Sequence, residues 1–157
     1  MRFVKVIAAV LFVLVVLTAA GCASSQAVAS TQANARVDGD NVSVSAAEVQ
    51  NAKNTRFAVK TALGETNYMA YIFDKELHVR ANVCPPCRSI GFSLDGDTLA
   101  CDRCATVFDA RTGAGIKGAC VDFPKAAVPY TISDGKIVMK SGDLATAYNN
   151  TLQPGLP

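Results

Sequence analysis

The chain has almost none of the side chains on which acid–base and hydrolytic enzymes are built. It contains one histidine, His78, in 157 residues, and no tryptophan. His78 falls in an alternating apolar–polar stretch, residues 77–81, six residues before Cys84. An imidazole in that setting is more often packed or solvated than a ligand. No Ser–His–Asp set and no carboxylate pair stands out, so hydrolytic chemistry has no support. An excess of charge of one sign is missing too. The 15 basic residues nearly balance the 13 acidic ones, and without Arg2 and Lys5 at the start the remainder is neutral. With no basic tract and no aromatic–basic stripe, nucleic acid is not expected as a partner. Nor is any apolar run long enough to cross a bilayer: the longest, residues 6–17, has twelve residues, where a spanning helix needs about 20. Internal repeats of solenoid length are absent.

What that run does fit is a secretion signal. Arg2 and Lys5 form its positive start, and Thr18-Ala19-Ala20-Gly21 close it with small residues ahead of Cys22. The segment resembles a bacterial lipobox, with Ala19 standing where leucine is usual. Residues 1–21 are then a lipoprotein signal, and a lipid on Cys22 anchors the mature chain to a prokaryotic membrane. An ordinary cleaved signal or an uncleaved anchor would equally put the rest outside the cytoplasm. Residues 22–47 are rich in Ala, Ser, Gln, Val and Asn, without aromatics, and are expected to form a flexible tether, although residues 41–44 alternate like a short strand. The folded domain is expected over residues 48–150, with a tail at 151–157. From residue 48 to the end there are about 110 residues, enough for one modest core.

Within the domain, strands are expected at 56–59, 68–73, 77–81, 92–94, 98–100, 107–109, 128–132 and 136–139. Residues 64–67 and 74–76 read as turns. Asp95-Gly96 and Asp134-Gly135 mark hairpins, because both residue types tolerate positive φ. Ser141-Gly142-Asp143 caps a closing helix over residues 144–149. The fold class is mostly β: a small antiparallel sheet or barrel module, Rieske-like or zinc-ribbon-like, with two Cys-x-x-Cys knuckle loops and a short C-terminal helix.

Those loops carry the chemistry. Cys84-Pro-Pro-Cys87 and Cys101-Asp-Arg-Cys104 are separated by thirteen residues. Two residues between thiolates let both sulfurs face one ion or cluster edge, and a hairpin-sized insert folds the second pair onto the first. Four cysteines in an exported protein also admit disulfides in three pairings, but two such units around a hairpin favour a metal. Spacing does not separate zinc from iron–sulfur, since both accept four thiolates. A fifth thiol, Cys120 in Gly118-Ala119-Cys120, reads as a further ligand, a redox-active neighbour or a buried apolar residue.

The stretch 81–139 resembles the FtrD-like membrane iron–sulfur proteins. The matching pieces are Ala81-Asn82-Val83-Cys84-Pro85-Pro86-Cys87, Gly91-Phe92, and Gly96-Asp97-Thr98-Leu99-Ala100-Cys101-Asp102-Arg103-Cys104. They continue through Phe108, Gly118-Ala119-Cys120, Pro124 and Asp134-Gly135-Lys136-Ile137-Val138, and Gly142-Asp143-Leu144 fits the closing segment. Two departures stand out: Gly118-Ala119-Cys120 replaces the family's Gly-Gly-Cys, and the long membrane-spanning region of some members is missing. The same stretch is similar to a Rieske module with cysteines in place of its two histidines. All-thiolate ligation would add negative charge and lower the potential toward plant-ferredoxin values, about −400 mV.

The resemblance implies an iron–sulfur cluster, 2Fe–2S favoured, held by Cys84, Cys87, Cys101 and Cys104 with Cys120 close by. It also implies an extracytoplasmic one-electron carrier, rather than a stand-alone enzyme, working with a membrane redox or transport protein, in a membrane redox or iron-uptake system. A structural zinc module and a periplasmic metal chaperone are the alternatives.

Overall fold

Positive backbone angles set the hairpins. The computed structural model describes residues 26–61 and 64–155; the expected signal and Cys22 lie outside the described residues. Asp74 and Lys75 take φ of 51° and 65°, and Asp134 and Gly135 take 51° and 71°. Each pair is a two-residue loop, joining Phe73 to Glu76 and Ser133 to Lys136. Loops of this hand match the twist of the strands they connect.

The strands form three four-stranded sheets. The first contains β1 (Thr31–Gln32), β4 (Asn54–Thr61), β5 (Gly64–Phe73) and β6 (Glu76–Ala81), in the order β1-β4-β5-β6. The second contains β7 (Phe92–Asp95), β8 (Thr98–Cys101), β9 (Val107–Asp109) and β10 (Gly115–Lys117), in the order β10-β9-β8-β7. The third contains β2 (Arg36–Asp38), β3 (Asn41–Ser45), β11 (Thr131–Ser133) and β12 (Lys136–Lys140), in the order β11-β12-β3-β2. Among the described residues only β1 and β4 pair in parallel. Helix α1 (Ala46–Ala52) follows β3, and α2 (Ser141–Thr151) closes the chain. The fold is therefore mostly β, with small sheets and a short C-terminal helix, as expected.

The expected tether is not one over its described part. Val28 exchanges backbone hydrogen bonds with Leu94, at 2.7 and 2.9 Å. β3 is a central strand with Val42 and Val44 buried, and it pairs with β12 from Lys136↔Ser45 to Lys140↔Asn41. Its partner lies at the far end of the sequence, so only the alternation at residues 41–44 announces it. Residues 64–67 begin β5 instead of forming a turn. Helix α1 was not expected; it starts where Ser45 Oγ accepts the Glu48 N–H at 3.3 Å, the Ser-x-x-Glu spacing of an N-terminal cap. Around residue 128 the chain makes an isolated antiparallel bridge, Arg80↔Ala127, with the Ala81 N–H donating to the Ala126 carbonyl (3.0 Å) and the Val128 N–H to the Val79 carbonyl (2.9 Å), and β11 starts at Thr131.

Two cores share β5. Tyr68 and Ala70 face a core with Phe57, Val42, Ile137 and Leu144. Met69 and Tyr71, on the opposite face, enter a second core with Phe92, Leu99, Phe108 and the cysteines. Burial on both faces explains why residues 68–73 are a nearly continuous apolar run.

Candidate metal centre

The two Cys-x-x-Cys loops are built alike, position for position. Cys84 follows β6, and Cys101 ends β8. In the first loop the Cys84 N–H donates to the Ser89 carbonyl (2.8 Å), and the Arg88 N–H donates to the Cys84 carbonyl (2.7 Å). In the second the Cys101 N–H donates to the Thr106 carbonyl (2.9 Å), and the Ala105 N–H donates to the Cys101 carbonyl (2.9 Å). Arg88 and Ala105, each directly after a second cysteine, both take positive φ, 57° and 54°. A hydroxyl residue follows each, Ser89 and Thr106. This double turn aims both sulfurs of a loop to one side.

The result brings Cys84, Cys87, Cys101 and Cys104 together, with all four sulfurs within 4.8 Å of one another. Cys84 and Cys101 are buried, whereas Cys87 and Cys104 are half-buried. One edge of the cage thus reaches the surface. Cys120 is buried outside that group of four, with its Sγ 3.7 Å from Cys104 Sγ. His78 is not part of it; its ring stacks on Tyr71 at 5.3 Å. All five described cysteines are free thiols.

Burial pushes the Cys84 thiol well up, with Cys120 and Cys87 beside it adding to the shift. Burial also raises Cys101, although Ser89 and the backbone of Cys104 and Arg103 oppose it. At Cys104 burial is outweighed by Thr106, which with the Cys101 and Cys87 thiols brings it down to about 6. Thr106 Oγ1 lies 3.2 Å from Cys104 Sγ and accepts the Cys120 N–H at 3.2 Å. Its proton is therefore available to a Cys104 thiolate. Ser89 and Thr106 are roles that cysteine spacing alone misses, though a hydroxyl residue two positions after each pair was a signal that could have been read.

A second group under the cage was also missed. Lys125 is fully buried, and its Nζ donates to the carbonyls of Val83 (2.9 Å) and Phe123 (2.7 Å). That ammonium stands over the rings of Phe108 and Phe92, at 4.4 and 5.3 Å from their centroids. The segment bearing it is fastened by buried Arg80, whose guanidinium donates to Tyr71 Oη (2.9 Å), the Lys125 carbonyl (2.8 Å) and the Arg111 carbonyl. Glycine is required at two turns here. At Gly113 (φ 79°) a Cβ would overlap the Lys125 carbonyl, and at Gly118 (φ 123°) it would come within 2.6 Å of Thr106 Oγ1.

The donor set suits a soft or borderline metal. Four thiolates with no carboxylate among them are the ligands of iron–sulfur clusters and of structural zinc. Cys87 Sγ and Cys101 Sγ are 3.7 Å apart. That is close to the edge of a tetrahedron of sulfurs about 2.3 Å from a single ion, about 3.8 Å.

Several solved structures are similar to the chain, and two serve as examples. One is the ferredoxin of Sphingomonas yanoikuyae B1, at 27% identity over 48% of this chain and 74% of that one, with a TM-score of 0.43. The other is a chain from the complex of reduced oxygenase and oxidized ferredoxin in carbazole 1,9a-dioxygenase. It is 18% identical, covers 66% of this chain and 95% of its own, and has a TM-score of 0.53, a likeness of fold. No curated protein matches. The profile of the membrane iron–sulfur containing, FtrD-like proteins matches residues 49–150, which include both loops, Cys120 and Lys125. With that match spanning well over half of its length, the chain belongs to the FtrD-like family of membrane iron–sulfur proteins.

Proposed function

We propose that the protein is a one-electron carrier whose iron–sulfur cluster, 2Fe–2S, is held by Cys84, Cys87, Cys101 and Cys104. The observation that carries this reading is the cage itself: four sulfurs within 4.8 Å, two of them buried and two reaching the surface. When bound, the cluster supplies a site that takes up and gives back single electrons, with no substrate bond made or broken. The chain's residues do the rest. Cys84 and Cys101 fix the inner edge, Cys87 and Cys104 bring the outer edge to a partner, and Thr106 and Ser89 offset thiolate charge. Cys120 is a neighbour of the cage and not a ligand.

The test is composition and spectroscopy of the full-length protein. Iron and acid-labile sulfide in equal amounts, visible charge-transfer bands and an EPR signal on reduction are expected. Colourless protein with one zinc per chain would establish the second reading, a structural zinc module, which the same four-thiolate donor set suits.

The exposed edge also has a charge. Arg88 and Arg103 are exposed beside Cys87 and Cys104, and Lys117 is exposed three residues before Cys120; the exposed acidic residues among them are Asp102 and Asp122. The Asp102 carboxylate accepts the Ser93 hydroxyl at 2.8 Å. A redox partner with an acidic docking face fits this edge. Oxidation of the reduced protein by ferricyanide, an anion, should therefore slow as salt rises, and Arg88→Glu/Arg103→Glu should slow it further while speeding oxidation by hexaammineruthenium. Equal salt dependence for both oxidants would exclude a basic edge.

The location follows from the start of the chain. Among the described residues no helix is long and apolar enough to cross a membrane. In the lipoprotein reading Cys22 carries the anchor, and Val28, six residues on, is already paired to Leu94 of the cage-side sheet. Six residues reach at most about 20 Å. The carrier then works close to the bilayer, within reach of a membrane-embedded redox or transport partner outside the cytoplasm.

A further inference from the structure

Lys125 is a buried charge without an acidic counterpart. Its side chain is wholly inaccessible, and the ion pairs found among the described residues join Arg111 to Asp74 and Glu76 and do not include it. Two of its three N–H donors go to carbonyls, and two aromatic rings cover it. Carbonyls and rings compensate part of the desolvation of an ammonium, but a buried unpaired charge is still costly. An apolar residue of the same length would avoid that cost. The groups that can face Lys125 with negative charge are the cysteines, as the thiolates that hold a metal or cluster. Val83, which accepts its bond, directly precedes Cys84; Phe92 is paired with Cys101 across β7 and β8; Phe108 packs in the same core as the five described cysteines. Burial brings its pKa down to about 8, and Cys84, Cys101, Cys120 and Cys87 hold it up against that.

We infer that Lys125 is the internal counter-charge of the four-cysteine centre, a fixed positive charge that favours its more negative state and so raises its reduction potential. The inference rests on the electron-carrier reading above. Each electron accepted adds one negative charge to the cage. A fixed cation on its buried side, where water cannot screen it, offsets that charge, while the opposite edge stays open to a partner. Thiolate ligation alone pulls the potential toward the low end of the iron–sulfur range, and Lys125 pulls against it. A purely structural lysine that only joins two carbonyls would leave the potential where it is.

Lys125→Met and Lys125→Gln in the full-length, cluster-loaded protein distinguish the two roles, with the exposed Lys117→Met as control. Potentiometric titration followed by EPR and visible absorption gives the midpoint of each. We expect Lys125→Met and Lys125→Gln to lower the affinity for the electron by at least about tenfold, a negative shift of about 59 mV for a one-electron couple. The shift should persist in high salt, whereas that of Lys117→Met is smaller and screened away. Midpoints equal to the parent, at unchanged iron content, overturn the inference. A parent protein with no redox-active iron overturns the carrier reading itself, a different and visible result. Should both variants fail to accumulate, the parent carries the test through NMR of ¹⁵N-lysine-labelled protein. One Nζ signal protected from solvent exchange must change its paramagnetic relaxation between oxidation states. If none does, the inference falls.

Discussion

Cys101→Ala in the full-length protein should abolish retention of iron, with at least about tenfold less metal per chain than the parent, and lower the melting temperature by more than about 10 °C. Cys101 is buried, ends β8 and pairs with Phe92 of the neighbouring strand. Its loop and the loop from Cys84 are tied directly only by a few contacts, the Asp102 N–H to the Gly91 carbonyl (3.1 Å) and the Ser89 side chain on the Cys101 thiol; a shared centre would add a cross-link between them. The core on that face of β5 is small and includes the cysteines themselves, so a metal supplies cohesion that apolar burial there does not. Removing one ligand therefore removes a cross-link as well as a redox group. Cys120→Ala is the matched control: buried and 3.7 Å from Cys104 but outside the group of four, it should leave most of the iron in place. Iron analysis together with thermal unfolding reads both variants. Normal iron in Cys101→Ala, or loss of iron in Cys120→Ala alone, would reverse the assignment.

Arg80→Met should be the most damaging change away from the cage, at about 3 kcal/mol or more, or on the order of 10 °C in melting temperature. One guanidinium satisfies Tyr71 Oη and the carbonyls of Lys125 and Arg111, tying β5 and β6 to the segment that brings Lys125 under the cage. Methionine has similar reach and no donors, so three buried or partly buried acceptors lose their partner. Arg80→Lys should rescue little, because a point ammonium does not reproduce the planar fork. The close passage of Gly113 against Arg80 and the Lys125 carbonyl leaves no room for the segment to settle inward. Thermal unfolding followed by circular dichroism decides it, and a loss below about 1 kcal/mol would show that water takes over these acceptors.

The site was legible where its determinants are local. Four cysteines and their spacing announce the cage that the fold brings together, because each loop is closed by hydrogen bonds within six residues. The Asp-Gly hairpins were legible for the same reason. What stayed hidden depends on contacts distant in sequence. β3 becomes a strand through β12, about a hundred residues away. Lys125 looks like any lysine in Phe123-Pro124-Lys125-Ala126-Ala127, and only the packing of Phe92 and Phe108 shows that it is inside. Cys120 reaches Cys104 because Gly118 lets its loop lie on Thr106.

The two-faced strand β5 has one more consequence. Its even-numbered residues, Tyr68 and Ala70, fill one core, and its odd-numbered residues, Met69 and Tyr71, fill the other. A slip of one position against β4 or β6 would exchange the two sets, putting a tyrosine where alanine belongs on one side and misplacing the Tyr71 hydroxyl on the other. Most strands risk one face in such an error; this one risks both. β5 thus acts as the register gauge of the whole fold, and because β6 leads directly into Cys84, the place where the first thiol arrives is set by the same count.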